Sequence, residues 1–247
     1  MFELTVLQWV FVIVCAIFIG FMKTGLPSLG IVVVTALMFV FPAKASIGIL
    51  LPMLIIGDIF AVTYYRRNAV WKYLVGLLPW VLLGIILGYF VLGVVSSAQL
   101  KPLIGAIVLG IIILHVFRER FGENFNKMLP QSLWFTAFMG VLGGFTTMVG
   151  NAAGGVMAIY LLVKGLPKKA FVGTGAWFFL IVNLIKVPFY INLGLIHTES
   201  LTFNLWMLPA ILIGAFLGVR VLHLLPQKNF QVLILLFAAL GALKLLF

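Results

Sequence analysis

The chain has 247 residues, of which 64% are hydrophobic and only 9% carry a charged side chain. Soluble globular domains have roughly 25% charged and about 45–50% apolar residues, so too few polar residues remain here to cover a water-exposed surface. The formal net charge of +11 would suit a nucleic-acid-binding protein, but the basic residues form short clusters between long uncharged runs, which is typical of membrane-protein loops. The composition predicts a polytopic membrane protein without a nucleic-acid partner.

The predicted elements are all α-helices, because the apolar runs are too long and too little alternating for barrel strands. Polar breaks divide the chain into ten segments near 4–23, 28–41, 46–65, 72–95, 100–117, 132–149, 152–163, 170–191, 203–225 and 229–246. Crossing a bilayer as a helix takes about 20 apolar residues, so 28–41 and 152–163 are too short to cross alone. Each follows a glycine-containing break, at 25–27 and at 149–151. We expect each to form a helical hairpin with the segment before it.

The sequence contains few features that are typical of an enzyme or of a metal-binding protein. Residues 1–3 lack the positive charge that begins a signal peptide, so we expect the first segment to remain as a helix. Cys15, the single cysteine, lies in an apolar run, which favours a packing role and excludes an intrachain disulfide. The three histidines show no metal-ligand spacing, and phosphate-loop, dinucleotide-binding and nucleophile-elbow motifs are absent from the sequence. We predict no enzymatic activity, no cofactor and no metal site.

The basic residues predict an orientation. If the N-terminus is outside, the inner loops contain Arg66, Arg67, Lys72, Arg118, Arg120, Lys127, Lys164, Lys168, Lys169 and Lys228. The outer segments then contain only Lys44, Lys101 and Lys244. Because cytoplasmic loops are enriched in lysine and arginine, we expect both termini outside the cytoplasm.

The two halves of the chain resemble each other. Matched positions include Asp58 with Asn183, Tyr65 with Tyr190, Gly84 with Gly214 and Gly88 with Gly218. With five segments in each half, an odd number, the second half is inverted relative to the first. We predict a first repeat at 1–117, a cytoplasmic linker at 118–131 and a second, inverted repeat at 132–247. The Gly-x-x-x-Gly spacings predict close helix packing.

Inverted repeats with discontinuous helices are typical of secondary transporters, which bind substrate near the membrane midplane; a duplicated scaffold without a transport role is the alternative. The breaks at 20–27 and 143–151 resemble the two signature regions of the TauE/SafE sulfite exporter family, and the length and two-repeat layout extend the resemblance over nearly the whole chain. At the first of these regions the chain has Pro27 and Ser28, where a sequence richer in glycine is expected for the family. The resemblance implies export of sulfite, sulfoacetate or other organosulfonates across the bacterial cytoplasmic membrane.

The breaks predict an anion site. The N-terminus of a short helix offers unpaired N–H groups and a partial positive charge, and glycine lets the ligand approach the backbone. The candidate binding residues there are Thr24, Gly25, Ser28, Thr146, Thr147, Gly150 and Asn151. For Ser28 and Asn151, capping of the short helix is an equally good explanation.

Two lysines are further candidates for substrate binding. Lys23 adjoins the first break, where it either extends to the membrane interface or neutralises a bound anion. Lys186 lies inside segment 170–191, where a cation costs about 2.5–3.5 kcal/mol on insertion scales, so we expect an anionic substrate or an acidic partner beside it. Asn183 lies one helical turn earlier, on the same face.

Asp58 is the acidic residue of the predicted spans, and three roles are open for it. The first is an ion pair with Lys23 or Lys186. The second is to carry protons that couple export to a proton gradient, and the third is to cap a helix end near Arg66 and Arg67. The pseudo-symmetry predicts that Asp58 and Asn183 face each other where the repeats meet, which favours the first two roles.

The sequence thus predicts a secondary transporter of small sulfur-containing anions that works by alternating access. An anion channel of the same fold and a non-transporting membrane assembly or redox partner are the alternatives. The expected partners are the anionic substrate and membrane lipid, and assembly into a homo-oligomer is left open.

Overall fold

The computed structural model describes residues 4–25, 30–100, 102–103, 106, 109–110, 113, 133–224 and 226. These residues contain no strand. The helices with defined bounds are α1 Val6–Thr24, α2 Gly30–Leu37, α3 Ala43–Tyr65, α4 Trp71–Val94, α5 Leu133–Gly150, α6 Gly154–Val163, α7 Lys168–Asn192 and α8 Thr198–Leu224. A 3₁₀ turn at Arg66–Asn68 joins α3 to α4. The all-helical prediction is confirmed.

Six of these helices (α1, α3, α4, α5, α7 and α8) are long and apolar enough to cross a membrane, so the protein is a multi-pass membrane protein. The two predicted short arms are confirmed as short helices, since α2 has 8 residues and α6 has 10. The predicted segment 229–246, the linker at 118–131 and much of segment 100–117 lie outside the described residues.

The predicted start of the ninth segment at residue 203 is wrong, because α8 begins at Thr198. Polar residues at 197–200 suggested a loop, but they stabilise a helix start. The Ser200 hydroxyl donates to the His197 carbonyl at 2.7 Å and accepts from the His197 N–H at 3.0 Å. Glu199 places a negative charge in the first turn, where the helix dipole favours it.

Glycines at matched positions bring two helix pairs into close contact. A Cβ on Gly20 of α1 would lie 1.9 Å from the Ile211 carbonyl oxygen of α8. A Cβ on Gly144 of α5 would lie 2.0 Å from the Val81 carbonyl oxygen of α4. The reverse contacts from α4 and α8 are equally tight: a Cβ on Gly84, Gly88, Gly214 or Gly218 would lie 1.7–2.8 Å from α5 or α1. The predicted close packing at the Gly-x-x-x-Gly spacings is therefore confirmed.

We expect Gly84→Ala to lower the stability of the folded protein by about 1–3 kcal/mol, the usual cost of overpacking. The new Cβ would lie 2.1 Å from the Val141 carbonyl oxygen, so α4 and α5 would have to separate. Gly76→Ala in the same helix is the control, because its Cβ would have nothing within 4 Å. Melting temperatures of the purified variants in detergent test this, and equal values for the two variants would contradict it.

Helices α3 and α7 pack antiparallel in the centre of the described structure. Gly48 near the start of α3 contacts Leu195 just beyond the end of α7, and Gly173 near the start of α7 contacts Tyr65 and Asn68 at the end of α3. Where the two helices cross, their buried faces carry polar residues. This crossing positions the candidate site.

Candidate functional site

Six polar residues form one connected cluster inside the helix bundle, which we call the polar cluster. Its members are Lys23, Asp58, Thr147, Asn151, Asn183 and Lys186, and none is more than 8% exposed. They come from α1, α3, α5, α7 and the break after α5. The cluster therefore joins α1 and α3 of the first half of the chain with α5, the following break and α7 of the second.

An ion pair forms one end of the cluster. The Lys23 ammonium, at the end of α1, lies 2.6 Å from Asp58 Oδ1 in α3. The ammonium also lies 4.4 Å from the ring centroid of Phe179, within cation–π range. Gly57 makes room for the lysine chain, since a Cβ there would lie 3.0 Å from Lys23 Cγ. Of the three roles considered for Asp58, the structure contains the ion pair.

Asn183 connects the ion pair to the second lysine. Its Nδ2 donates to Asp58 Oδ2 at 2.7 Å, and its Oδ1 accepts from Lys186 Nζ at 3.2 Å. The predictions that Asp58 faces Asn183 and that Asn183 shares a helix face with Lys186 are confirmed. Because the amide uses both ends, its orientation is determined by a carboxylate on one side and an ammonium on the other.

Lys186 differs from Lys23 in having only uncharged acceptors. Its Nζ donates to Thr147 Oγ1 at 3.1 Å and to Asn151 Oδ1 at 2.5 Å, besides Asn183. Three acceptors match the three protons of an ammonium group. The Tyr190 ring adds a cation–π contact at 5.3 Å from its centroid. Lys186 is fully buried and, in the described structure, has no carboxylate of its own.

Asn151 shapes the second break. It is the only non-glycine residue with positive φ in the described part of the chain, at 53°, a conformation that asparagine tolerates better than most residues. The alternative that it caps the short helix is wrong: the N-cap of α6 is Ala153, which makes no side-chain cap bond. Instead, Asn151 Oδ1 accepts a hydrogen bond from Lys186 Nζ, and Asn151 Nδ2 donates one to the Ile47 carbonyl at 3.1 Å.

The first turn of α6 is consequently buried without a side-chain cap. Gly154, Val156 and Met157 of this turn are buried. The amide groups at such a helix start normally receive a side-chain oxygen, a water or a ligand. The turn begins three residues after Asn151, which contacts Lys186.

The polar cluster lies deep in the bundle. Asp58 is seven residues from the end of α3, and Asn183 is nine residues from the end of α7. At 1.5 Å per residue these positions are about 10 and 14 Å inside their helices. Since the hydrocarbon core of a bilayer is about 30 Å thick, the contact between the two residues is well separated from either surface.

The other predicted binding residues are not in this cluster. The Thr24 hydroxyl donates to the Ala215 carbonyl at 2.7 Å, and the Thr146 hydroxyl donates to the Gly143 carbonyl at 3.2 Å, so both donors are used for packing. Gly25 ends α1 against Gly218, and Gly150 is the buried last residue of α5. Ser28 lies outside the described residues.

Two tyrosines support the breaks in matching ways, and the sequence analysis did not assign them a role. Tyr65 donates to the Thr24 carbonyl at 3.1 Å, and Tyr190 donates to the Met148 carbonyl at 2.8 Å. Each hydroxyl binds a carbonyl near the C-terminal end of the helix before the break. The repeat alignment already matched these residues, so their symmetry was the signal that could have identified them.

We expect Tyr65→Phe and Tyr190→Phe each to lower the free energy of unfolding by about 1 kcal/mol, because each leaves a buried carbonyl without its donor. Tyr64→Phe is the matched control, since Tyr64 is 53% exposed. Thermal unfolding in detergent measures the three effects. An equal loss in the control would show that the buried hydroxyls contribute nothing specific.

Lys164 lies between two aromatic rings at the end of α6, at 5.5 Å from the Tyr73 centroid and 5.3 Å from the Tyr160 centroid. Burial, and then the charge of nearby Lys72, lower the pKa of Lys164. Two like charges therefore lie near each other at this end of the bundle, where an approaching anion would be attracted.

The donor set suits an anion better than a metal ion. Two ammonium groups, amide groups and backbone N–H groups are donors, whereas the described residues contain no group of three or more His, Cys, Asp or Glu side chains that could hold a metal. The charges and donors of the cluster are thus of the kind that binds oxyanions.

Comparison with known proteins gives a family. The sequence matches the family described as "Sulfite exporter TauE/SafE" over residues 12–245, which is nearly the whole chain. No curated protein and no solved structure matches it. The match agrees with the resemblance carried by the two breaks, and the chain belongs to the TauE/SafE sulfite exporter family.

Proposed function

We propose that the protein exports small sulfur-containing anions, such as sulfite or organosulfonates, across the bacterial cytoplasmic membrane by alternating access. Membership of an exporter family supports a transport role. The observation that carries the proposal is the Lys186 ammonium, fully buried among three uncharged oxygens. A buried cation without a counter-ion is costly, and an anionic substrate would remove that cost while bound.

The binding step follows from the contacts of Lys186. An incoming sulfonate or sulfite oxygen would replace Thr147 or Asn151 as its acceptor. The Thr147 hydroxyl, which also has a proton to donate, and the uncapped N–H groups of α6 would bind the remaining oxygens. Charge-assisted hydrogen bonds of this kind are roughly twice as strong as neutral ones.

The alternating-access part of the proposal rests on the matched packing of the two halves. Helices α1 and α8 pack through the same glycine positions as α5 and α4, while α3 and α7 cross antiparallel. This pattern is what two inverted repeats would produce, and in such folds one unit rocks against the other around a central site. The Asp58–Asn183 contact lies at that crossing.

Proton coupling through Asp58 is the finer part of the proposal. To carry a proton, the carboxyl group would have to separate from Lys23, which now lies 2.6 Å away. Such coupling predicts that an uncoupler slows export by the native protein and that Asp58→Asn removes this sensitivity. Equal sensitivity to pH and to uncouplers in both proteins would exclude Asp58 as the carrier.

Reconstituted vesicles test the function directly. We expect saturable flux of sulfite or an organosulfonate, and acceleration of labelled-anion uptake when unlabelled anion is present on the opposite side. Ohmic single-channel currents without counter-flow would favour the anion channel instead. Vesicles with the folded protein that show no flux of any sulfur anion would contradict the proposal.

A further inference from the structure

We infer that the polar cluster selects anions with a single negative charge over anions with two. This inference rests on the proposed function and adds the charge state of the substrate. It distinguishes hydrogensulfite from sulfite, and a simple sulfonate from a sulfonate that also carries a carboxylate.

The charges of the cluster support the inference. Lys23 and Asp58 are 2.6 Å apart and neutralise each other. Lys186 contributes a second positive charge, and its hydrogen-bond acceptors are the uncharged Thr147, Asn151 and Asn183. With both lysines protonated and Asp58 ionised, the cluster carries one surplus positive charge, which one negative charge would neutralise.

No other acidic residue is placed to change this balance within the described residues. Asp58 is the only acidic residue in the interior of the described long helices; Glu199 is exposed in the first turn of α8. The aromatic rings that contact the two lysines, those of Phe179 and Tyr190, are uncharged. The Tyr190 hydroxyl donates a hydrogen bond to the Met148 carbonyl.

A doubly charged anion would leave one negative charge buried without a partner. To recruit Lys23 it would have to compete with Asp58, which carries a like charge and would repel it. The second charge would lose its hydration inside the bundle without gaining a counter-ion of its own, because Lys23 is already paired with Asp58. We therefore expect a preference for singly charged anions of at least about tenfold.

The wild-type protein in detergent tests the inference with anions of nearly equal shape. Methanesulfonate carries one charge, sulfate carries two, and methylphosphonate changes from one to two as the pH rises above neutral. Calorimetric affinities at constant ionic strength should be at least about tenfold higher for methanesulfonate than for sulfate. The affinity for methylphosphonate should fall with rising pH relative to that for methanesulfonate, which controls for titration of the protein itself.

Two variants change the charge of the cluster in a defined way. Asp58→Asn adds one positive charge, so the ratio of methanesulfonate to sulfate affinity should fall by about tenfold or more. The double exchange Asp58→Asn with Asn183→Asp moves the carboxylate across the contact without changing the total charge, and should keep a preference for methanesulfonate.

The outcomes separate the two proposals. Tight binding of sulfate or of doubly charged methylphosphonate by the wild-type protein would overturn the charge selection alone. An unchanged ratio in folded Asp58→Asn would do the same. Failure of the native protein to bind any of these anions or sulfite would overturn the proposed function and, with it, this inference. Because the wild-type comparison needs no variant, a misfolded variant leaves the test intact.

Discussion

Replacing Lys186 by methionine is expected to reduce anion affinity and export by about 100-fold, the usual scale for truncating one partner of a buried, hydrogen-bonded charge pair. Methionine has a similar length and flexibility but no charge and no donor. The site would then contain Lys23 and Asp58, which neutralise each other, and would have no surplus charge for the substrate. Vesicle flux and calorimetric binding of methanesulfonate measure the loss.

Lys169→Met is the matched control for this experiment. Lys169 belongs to the same helix but is exposed near its start, so its removal should change flux only slightly. The melting temperature of the Lys186 variant should stay near that of the native protein, because removal of a buried, unpaired cation offsets the lost hydrogen bonds. Full transport by folded Lys186→Met would contradict both the binding role and the proposed route.

The second large effect concerns stability. We expect Lys23→Met and Asp58→Asn, each alone, to lower the free energy of unfolding by about 3–5 kcal/mol, because each leaves an uncompensated charge in the protein interior. Both side chains are nearly inaccessible, at 5% and 0% exposure. The double variant should recover most of the loss, since no buried charge of the pair then remains.

A double-mutant cycle on melting or denaturant unfolding in detergent measures this coupling. We expect a coupling energy of at least about 2 kcal/mol, within the range found for contacting residues in one network. The neighbouring hydrogen bond between residues 58 and 183 provides an internal comparison. The amide oxygen of an asparagine at position 58 can still accept from Asn183 Nδ2. Simple additivity of the two single effects would show that the ion pair contributes no specific coupling.

The two lysines of the cluster have different expected roles, because Lys23 is paired with Asp58 and Lys186 has only uncharged acceptors. Lys23 contacts a carboxylate and an aromatic ring, so its charge is compensated whether or not substrate is present. Lys186 contacts amide and hydroxyl oxygens that an anion can replace. Substitution of Lys23 should therefore lower stability more than substitution of Lys186 does, and substitution of Lys186, which also removes the donor to the anion, should lower binding more.

The sequence by itself determined the class of protein and much of its architecture. A chain with so few charges cannot be stably exposed to water, and the length of an apolar run decides whether it crosses a bilayer. The breaks before α2 and α6 were visible because glycine and proline interrupt helices. The match between the two halves also predicted that Asp58 faces Asn183, and the two side chains are in contact.

The tertiary structure decided which polar groups pair. Asp58 could have paired with either lysine, and only the packing of α1 against α3 brings Lys23 to it. Thr24 and Thr146 had the same apparent capacity to bind an anion as Thr147, yet their hydroxyls donate to buried carbonyls. Asn151 contacts Lys186 instead of capping α6 because of its left-handed backbone.

The physical reason is that nearly every face of these helices is apolar. In a soluble helix, the alternation of polar and apolar residues shows which side faces the core, but here lipid and protein interior select similar side chains. The contacts that build the site join residues 35 to 125 positions apart, apart from the single-turn pair Asn183–Lys186. Their geometry depends on how the helices cross, which close glycine contacts determine and local sequence patterns do not reveal.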